Sequence, residues 1–184
     1  MKPVERGEIT DYVTYEEQRD ALRAQVMAAK AVRRVHIGEY LTLLFENHLT
    51  VRYQIQEMVR TERMVKEADI QREIDTYNEL LGGEGELGCT LLIEIEDPGV
   101  RDEKLGEWWR LPEKIYMLLE DGTRVWATFD ERQRGDDRVS SVQYLKFDTG
   151  GRVPVAAGVD LPELQAETSL SAEQRQALRE DLSS

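Results

Sequence analysis

The side chains best suited to chemistry lie on one predicted helix and on the turn before it. Residues three or four positions apart share a helix face, so these polar groups could line a common cleft. Arginine can bind a carboxylate or phosphate through two parallel hydrogen bonds, and tyrosine and glutamate can transfer protons. The candidate ligand-binding or partner-binding residues are therefore Arg52, Tyr53, Gln56, Glu57, Arg60 and, in the turn, Glu46.

The same six side chains allow two other interpretations. They can form ion pairs on the helix surface and contacts that tie the helix to a sheet. They can also form a surface that binds a protein partner. Side chains that converge on a concave pocket would favour a ligand-binding site, and side chains that point apart would favour a structural role. The sequence alone does not decide between these arrangements, so any catalytic residues stay unknown.

Metal ligands are scarce in this chain. His36 and His48 are the only histidines and Cys89 is the only cysteine, and no pair stands at the spacing of a zinc site. A carboxylate-bridged iron site on helices needs Glu-x-x-His, which does not occur. Cys89 lies in an apolar predicted strand, where a buried and unreactive thiol is expected. We therefore expect no metal site and no cofactor.

The chain is acidic, and its charge is unevenly distributed. Residues 1–75 carry 12 Lys and Arg against 14 Asp and Glu, whereas residues 76–184 carry 12 against 23. Most of the net charge of −13 therefore lies in the second part. Because an acidic surface repels phosphate backbones, we expect no nucleic-acid partner. A protein partner, preferably basic, or a homo-oligomer is the expected assembly.

Composition also predicts the compartment. No apolar run approaches the ~20 residues of a membrane-spanning helix. The first residues are charged and lack the apolar core of a secretory signal. A single cysteine cannot form an internal disulfide. We expect a cytoplasmic protein with no membrane contact.

The elements that must position the candidate residues follow from periodicity. Asn47 is a predicted N-cap for the helix that carries most of them. Helical spacing and caps predict helices over residues 15–32, 48–67, 70–81 and 172–182. Alternation and turn residues predict strands over residues 35–37, 40–45, 89–96, 115–120, 123–129, 139–147 and 153–159. Pro154 places the last of these at a sheet edge.

These elements predict an α+β fold class. We expect a mainly antiparallel sheet of six to seven strands, packed by an N-terminal helix, a central helix pair and a short C-terminal helix. The length suits one domain with a sizeable core. The predicted division is a single α+β domain over residues 1–162 and a C-terminal tail with a short helix over residues 163–184.

The run FENHLTVRYQIQEMVRTERM, with RRVHIG before it and GVDLP after it, resembles a family of bacterial proteins of unknown function. The resemblance covers nearly the whole chain and implies no established activity. It implies an association with rubrerythrin-like proteins and iron–sulfur oxidoreductase subunits, encoded nearby. Two positions depart from the family pattern, since His48 replaces another basic residue and Leu161 replaces a histidine. Any role of that histidine in relatives is therefore absent here.

Two classes of function follow. The favoured one is a non-catalytic accessory or protein-interaction protein, linked to a redox or iron–sulfur system. The alternative is an enzyme or small-molecule sensor with a polar pocket around the helix that spans residues 52–60. The two differ in whether the candidate side chains converge on a pocket.

Overall fold

The computed structural model describes residues 1–184 and has an α+β fold with five α-helices and eight β-strands. The helices are α1 Tyr12–Ala31, α2 His48–Thr61, α3 Glu67–Asn78, α4 Pro98–Glu107 and α5 Ala172–Leu182. The strands are β1 Arg34–Ile37, β2 Leu41–Phe45, β3 Glu86–Ile93, β4 Ile115–Leu118, β5 Arg124–Trp126, β6 Val142–Asp148, β7 Ala156–Val159 and β8 Ala166–Ser169. None of the helices combines the length and the apolar character needed to cross a membrane.

The strands form two antiparallel sheets of four, in the orders β1-β2-β3-β6 and β5-β4-β7-β8. The predicted single sheet of six to seven strands is therefore wrong. Inward-facing side chains from both sheets, among them Phe45, Leu91, Met117 and Ala157, meet in one apolar core. An alternating strand can bury its apolar face against a second sheet as well as against a helix, so alternation does not reveal the number of sheets.

β7 lies between β4 and β8, so it is not the edge strand that Pro154 suggested. The strand begins at Ala156, two residues after the proline, and Pro154 therefore removes no hydrogen bond from the ladder. Its other neighbour, β8, was not among the predicted strands.

Residues 163–184 contribute β8 and α5 to this architecture. β8 pairs along the whole of β7, and α5 buries Leu178 in the shared core. A capping box opens α5, because the side chains of Ser171 and Gln174 each accept a hydrogen bond from the other residue's backbone amide.

β2 leads directly into α2, and all five of its residues are buried. Asn47 caps α2 through its side-chain oxygen, which accepts a hydrogen bond from the backbone amide of Thr50 at 3.0 Å. The Thr50 hydroxyl in turn accepts from the Asn47 amide at 2.9 Å. This reciprocal cap satisfies two amides that the helix start would otherwise leave unpaired.

One side of α2 packs into a second apolar cluster. Val51, Ile55 and Val59 are fully buried against α3 and against residues 1–11, which we call the strap. The strap contributes Val4 and Ile9 to this cluster. α2 ends at Thr61, earlier than its periodicity predicted. The backbone adopts a left-handed conformation two residues later, at Arg63, with φ +48°.

Phe45 tests the junction between β2 and the core. Its side chain is 0% exposed and lies 6.4 Å from the Phe147 ring, centroid to centroid. Because truncation leaves a cavity, Phe45→Ala should lower the free energy of unfolding by roughly 3–5 kcal/mol. Chemical denaturation measures this loss. The control is Val13→Ala, at a position that is 59% exposed and should be nearly neutral. Equal stability of both variants would contradict the packing described here.

Candidate functional site

Glu57 is the centre of a polar cluster between α2 and α1. Its carboxylate accepts hydrogen bonds from the Tyr15 hydroxyl at 2.7 Å and from Arg19 at 2.7 and 3.0 Å. Arg60 adds a third donor at 3.3 Å. Burial alone would raise the pKa of Glu57, but the hydrogen bonds from Arg19 and Tyr15 outweigh it and lower the pKa to about 2. Residues of this chain thus donate all of these hydrogen bonds to the Glu57 carboxylate.

Gln56 and Arg52 face the strap instead. The Gln56 amide donates to the carbonyl of Thr10 at 2.8 Å, and its oxygen accepts from the amide of Thr10 at 3.1 Å. Arg52 donates to the carbonyl of Glu8 at 3.2 Å, and the Glu8 carboxylate lies 2.8 Å from His48 Nε2. Side chains on this side of α2 therefore hold the strap by bonding the strap's backbone groups.

The remaining two candidates lie apart from these groups. Tyr53 is buried, with the Lys30 ammonium 5.7 Å from its ring centroid. The Glu46 carboxylate accepts from the hydroxyls of Thr50 and Thr90, at 2.5 and 2.8 Å. The six predicted residues thus divide among the α1 contact, the strap and the start of α2. Their role in binding a ligand or partner stays a prediction.

A sizeable cavity lies elsewhere, between α3, the segment 128–133 and β6. We call it the α3–β6 cleft, and its volume is about 670 Å³. Aromatic and aliphatic side chains form its walls, and Tyr144 is 42% exposed there. No residue of α2 lines it. The lining residues are Glu73, Thr76, Tyr77, Glu79, Leu80, Thr128, Phe129, Asp130, Arg132, Gln133, Tyr144, Leu145 and Lys146.

A side-chain amide fixes the Tyr144 wall. Gln133 donates to the carbonyl of Tyr144 at 3.2 Å and accepts from its amide at 2.7 Å. This amide covers the open edge of β6 as a neighbouring strand would. Burial, followed by the charges of Tyr77 and Glu46, raises the pKa of the Tyr144 phenol.

The two cations of the cleft are already engaged. Arg132 bonds both carboxylate oxygens of Asp130, and Lys146 lies 3.8 Å from Glu86. The hydrogen bond to Asp130 raises the pKa of Arg132, with a smaller effect from the charge of Glu79. The carboxylates of Glu73 and Glu79 form no ion pair within 4.0 Å, although the charge of Glu79 acts on Arg132 over a longer distance.

Sequence reasoning missed this cleft. The alternation within β6 could have indicated that Tyr144 and Lys146 share the outward face. Nothing in the sequence brings them to Tyr77 on α3, because that contact depends on how the sheet and the helices pack.

The metal-binding side chains lie apart. The structure contains no group of three or more His, Cys, Asp or Glu side chains that could hold a metal ion. Cys89 is buried in the core, and burial, followed by the charge of Glu46, raises the pKa of its thiol well above the ordinary value. The thiol is therefore poorly suited to act as a nucleophile.

The sequence profile described as "Protein of unknown function (DUF3501)" matches residues 3–182. The chain belongs to this family. It is also similar to a crystal structure of a novel protein of unknown function from Burkholderia pseudomallei K96243. The two share 29% sequence identity with a TM-score of 0.90, over 98% of this chain and 100% of the other. No curated protein matches this chain. Neither comparison names an activity for the DUF3501 fold.

Glu57 gives this DUF3501 protein a pH-dependent contribution to stability. Its folded pKa of about 2 lies below the ordinary value of 4.5. The charged carboxylate therefore stabilises the fold above about pH 4.5, and this contribution is lost as the pH falls towards 2.

Glu57→Gln should accordingly lower the free energy of unfolding by roughly 1–3 kcal/mol at neutral pH, because Arg19 loses its charged partner. The difference from the wild type should shrink between pH 4.5 and 2. Urea denaturation across this range measures it. Glu17→Gln, at an exposed position on α1, is the control. A difference that does not change with pH would contradict the assigned role of Glu57.

Proposed function

We propose that this protein is a non-catalytic accessory protein that binds a protein partner through the α3–β6 cleft. The observation that carries the proposal is an open cavity of about 670 Å³ with aromatic walls. An exposed aromatic side chain such as Tyr144 is a common anchor of protein interfaces. The polar residues of α2 are less available, since most of their donors and acceptors already bond the strap and α1.

The charge of the chain favours a partner of a different kind over a second copy. At −13, two copies would repel each other wherever their acidic surfaces approach, whereas a basic partner would be attracted. The homo-oligomer therefore takes second place in this proposal.

A link to a redox or iron–sulfur system is part of the same proposal. It rests on the resemblance to a bacterial family associated with rubrerythrin-like proteins and iron–sulfur oxidoreductase subunits. The chain offers no group of three metal-binding side chains, so its contribution to such a system would be contact with a protein that carries the centre.

The second candidate is an enzyme or small-molecule sensor with a pocket around residues 52–60. The specific observation in its favour is the strap, which covers Arg52 and Gln56. Release of the strap would expose both side chains together with His48, and a ligand could then replace the backbone groups that they now bind.

Arg52→Ala separates the two candidates. If Arg52 only holds the strap, the variant should lose roughly 1–3 kcal/mol of stability, because the carbonyl of Glu8 loses its donor. We expect this loss in chemical denaturation, with the exposed Arg23→Ala as a control. Unchanged or increased stability would favour the pocket, since binding sites often hold groups that destabilise the free protein.

Affinity capture from the native organism tests the favoured proposal. Tagged wild type, Tyr144→Ala and Trp126→Ala serve as baits, with bound proteins quantified by mass spectrometry. Trp126 is the matched control, because it is an aromatic residue of the second sheet with 41% exposure. A partner should bind the wild type and Trp126→Ala and be depleted about tenfold on Tyr144→Ala, as for an interface anchor.

Two results of the capture have distinct meanings. If the depleted protein is the chain itself, the partner is a second copy. If all three baits capture the same proteins equally, the α3–β6 cleft is not the contact site and the proposal is wrong.

A further inference from the structure

The charge balance of the α3–β6 cleft indicates what kind of group can enter it. Arg132 and Lys146 are paired with acids of this chain, and Glu73 and Glu79 are not paired with bases. An anionic ligand would have to compete with the acids already paired to these bases and would approach two carboxylates that have no direct ion pair. A cationic ligand would meet both carboxylates without breaking a direct ion pair.

The walls of the cleft favour the same sign of charge. Tyr77, Phe129 and Tyr144 present aromatic surfaces, and the negative face of an aromatic ring attracts cations. This chain already uses that attraction, with the Arg134 guanidinium 4.9 Å from the centroid of Phe129. Elsewhere Arg124 lies 4.2 Å from the centroid of Tyr116.

The shape of the cationic group distinguishes an arginine ligand from a lysine ligand. The volume of about 670 Å³ lies within the range of ligand pockets and leaves room for a long side chain with its apolar stem. A guanidinium is flat, stacks on aromatic faces and can donate to two carboxylates at once, whereas a strongly hydrated ammonium cannot stack in this way. Arginine therefore fits these walls better than lysine does.

We propose that the α3–β6 cleft binds a guanidinium group, presented by an arginine side chain of the protein partner. Glu73 and Glu79 accept its hydrogen bonds, and Tyr77 and Tyr144 hold its flat face and stem. This inference rests on the proposed partner-binding function and specifies the chemistry of that partner.

The experiment uses small probes on the full chain. Nα-acetyl-argininamide is titrated into labelled protein and followed by amide chemical shifts, with the neutral isostere Nα-acetyl-citrullinamide as the matched probe. The arginine probe should shift residues of α3 and β6 saturably. The citrulline probe should bind about tenfold more weakly, as expected when the cation is lost.

Paired variants test the carboxylates. The double variant Glu73→Gln with Glu79→Gln should weaken binding of the arginine probe about fivefold or more, because surface charge pairs contribute modestly. Glu17→Gln with Asp20→Asn makes the same change of charge on α1 and should leave the affinity unchanged. An equal loss of affinity in both double variants would show that the probe responds to the net charge of the protein and not to these two carboxylates. That result would overturn the site.

Other results would also overturn the inference. Equal binding of the two probes would show that charge is not recognised, and shifts that are absent or lie outside α3 and β6 would remove the site.

The same double variants distinguish this inference from the proposed function. If the partner is lost on Tyr144→Ala but still binds the double variant Glu73→Gln with Glu79→Gln, the cleft is the partner site. Recognition of a guanidinium group would then be refuted. The opposite result is selective binding of the arginine probe together with partner capture that is unchanged on Tyr144→Ala. The cleft would then bind a guanidinium group, but the partner would not use it.

Discussion

A buried carboxylate with no cationic partner connects the first sheet to α2. Glu46 is 8% exposed, follows β2 directly and accepts hydrogen bonds from Thr50 of α2 and Thr90 of β3. No basic side chain lies within 4.0 Å of it. A carboxyl group buried in this way needs partners for its oxygens, and the two hydroxyls supply them. Three elements are thereby fixed by one side chain.

The neighbouring residue extends this constraint to the end of the chain. Besides capping α2, Asn47 donates a hydrogen bond of 3.4 Å from its side-chain amide to the Asp181 carboxylate of α5. Asp181 receives two hydrogen bonds of 2.8 Å from Arg33, which also donates to the carbonyl of Ala29 in α1. Both members of this pair are buried, so its main effect is to specify one arrangement, because losing either partner would leave an uncompensated charge.

The sequence predicts what local geometry determines. The cap at Asn47, the capping box at Ser171 and the burial of β2 all depend on residues within a few positions of each other. The division into two sheets depends on strand pairs such as Cys89 with Leu145, which no local pattern encodes. The partners of the candidate site are equally remote, since Arg19 lies 38 positions from Glu57. Periodicity identified the polar faces of α2 but not what covers them.

Helical spacing therefore gives a necessary condition for a site and not a sufficient one. Gln56 and Glu57 are adjacent in sequence, yet the 100° step between neighbouring helix positions turns one to the strap and the other to α1. Their hydrogen-bonding capacity is spent within the chain, which is the usual fate of buried polar groups. Glu73 and Glu79 differ because neither forms an ion pair within 4.0 Å. Carboxylates without a direct ion pair stand beside exposed aromatic surface at the α3–β6 cleft, and this combination is the reason why the proposed partner site is placed there.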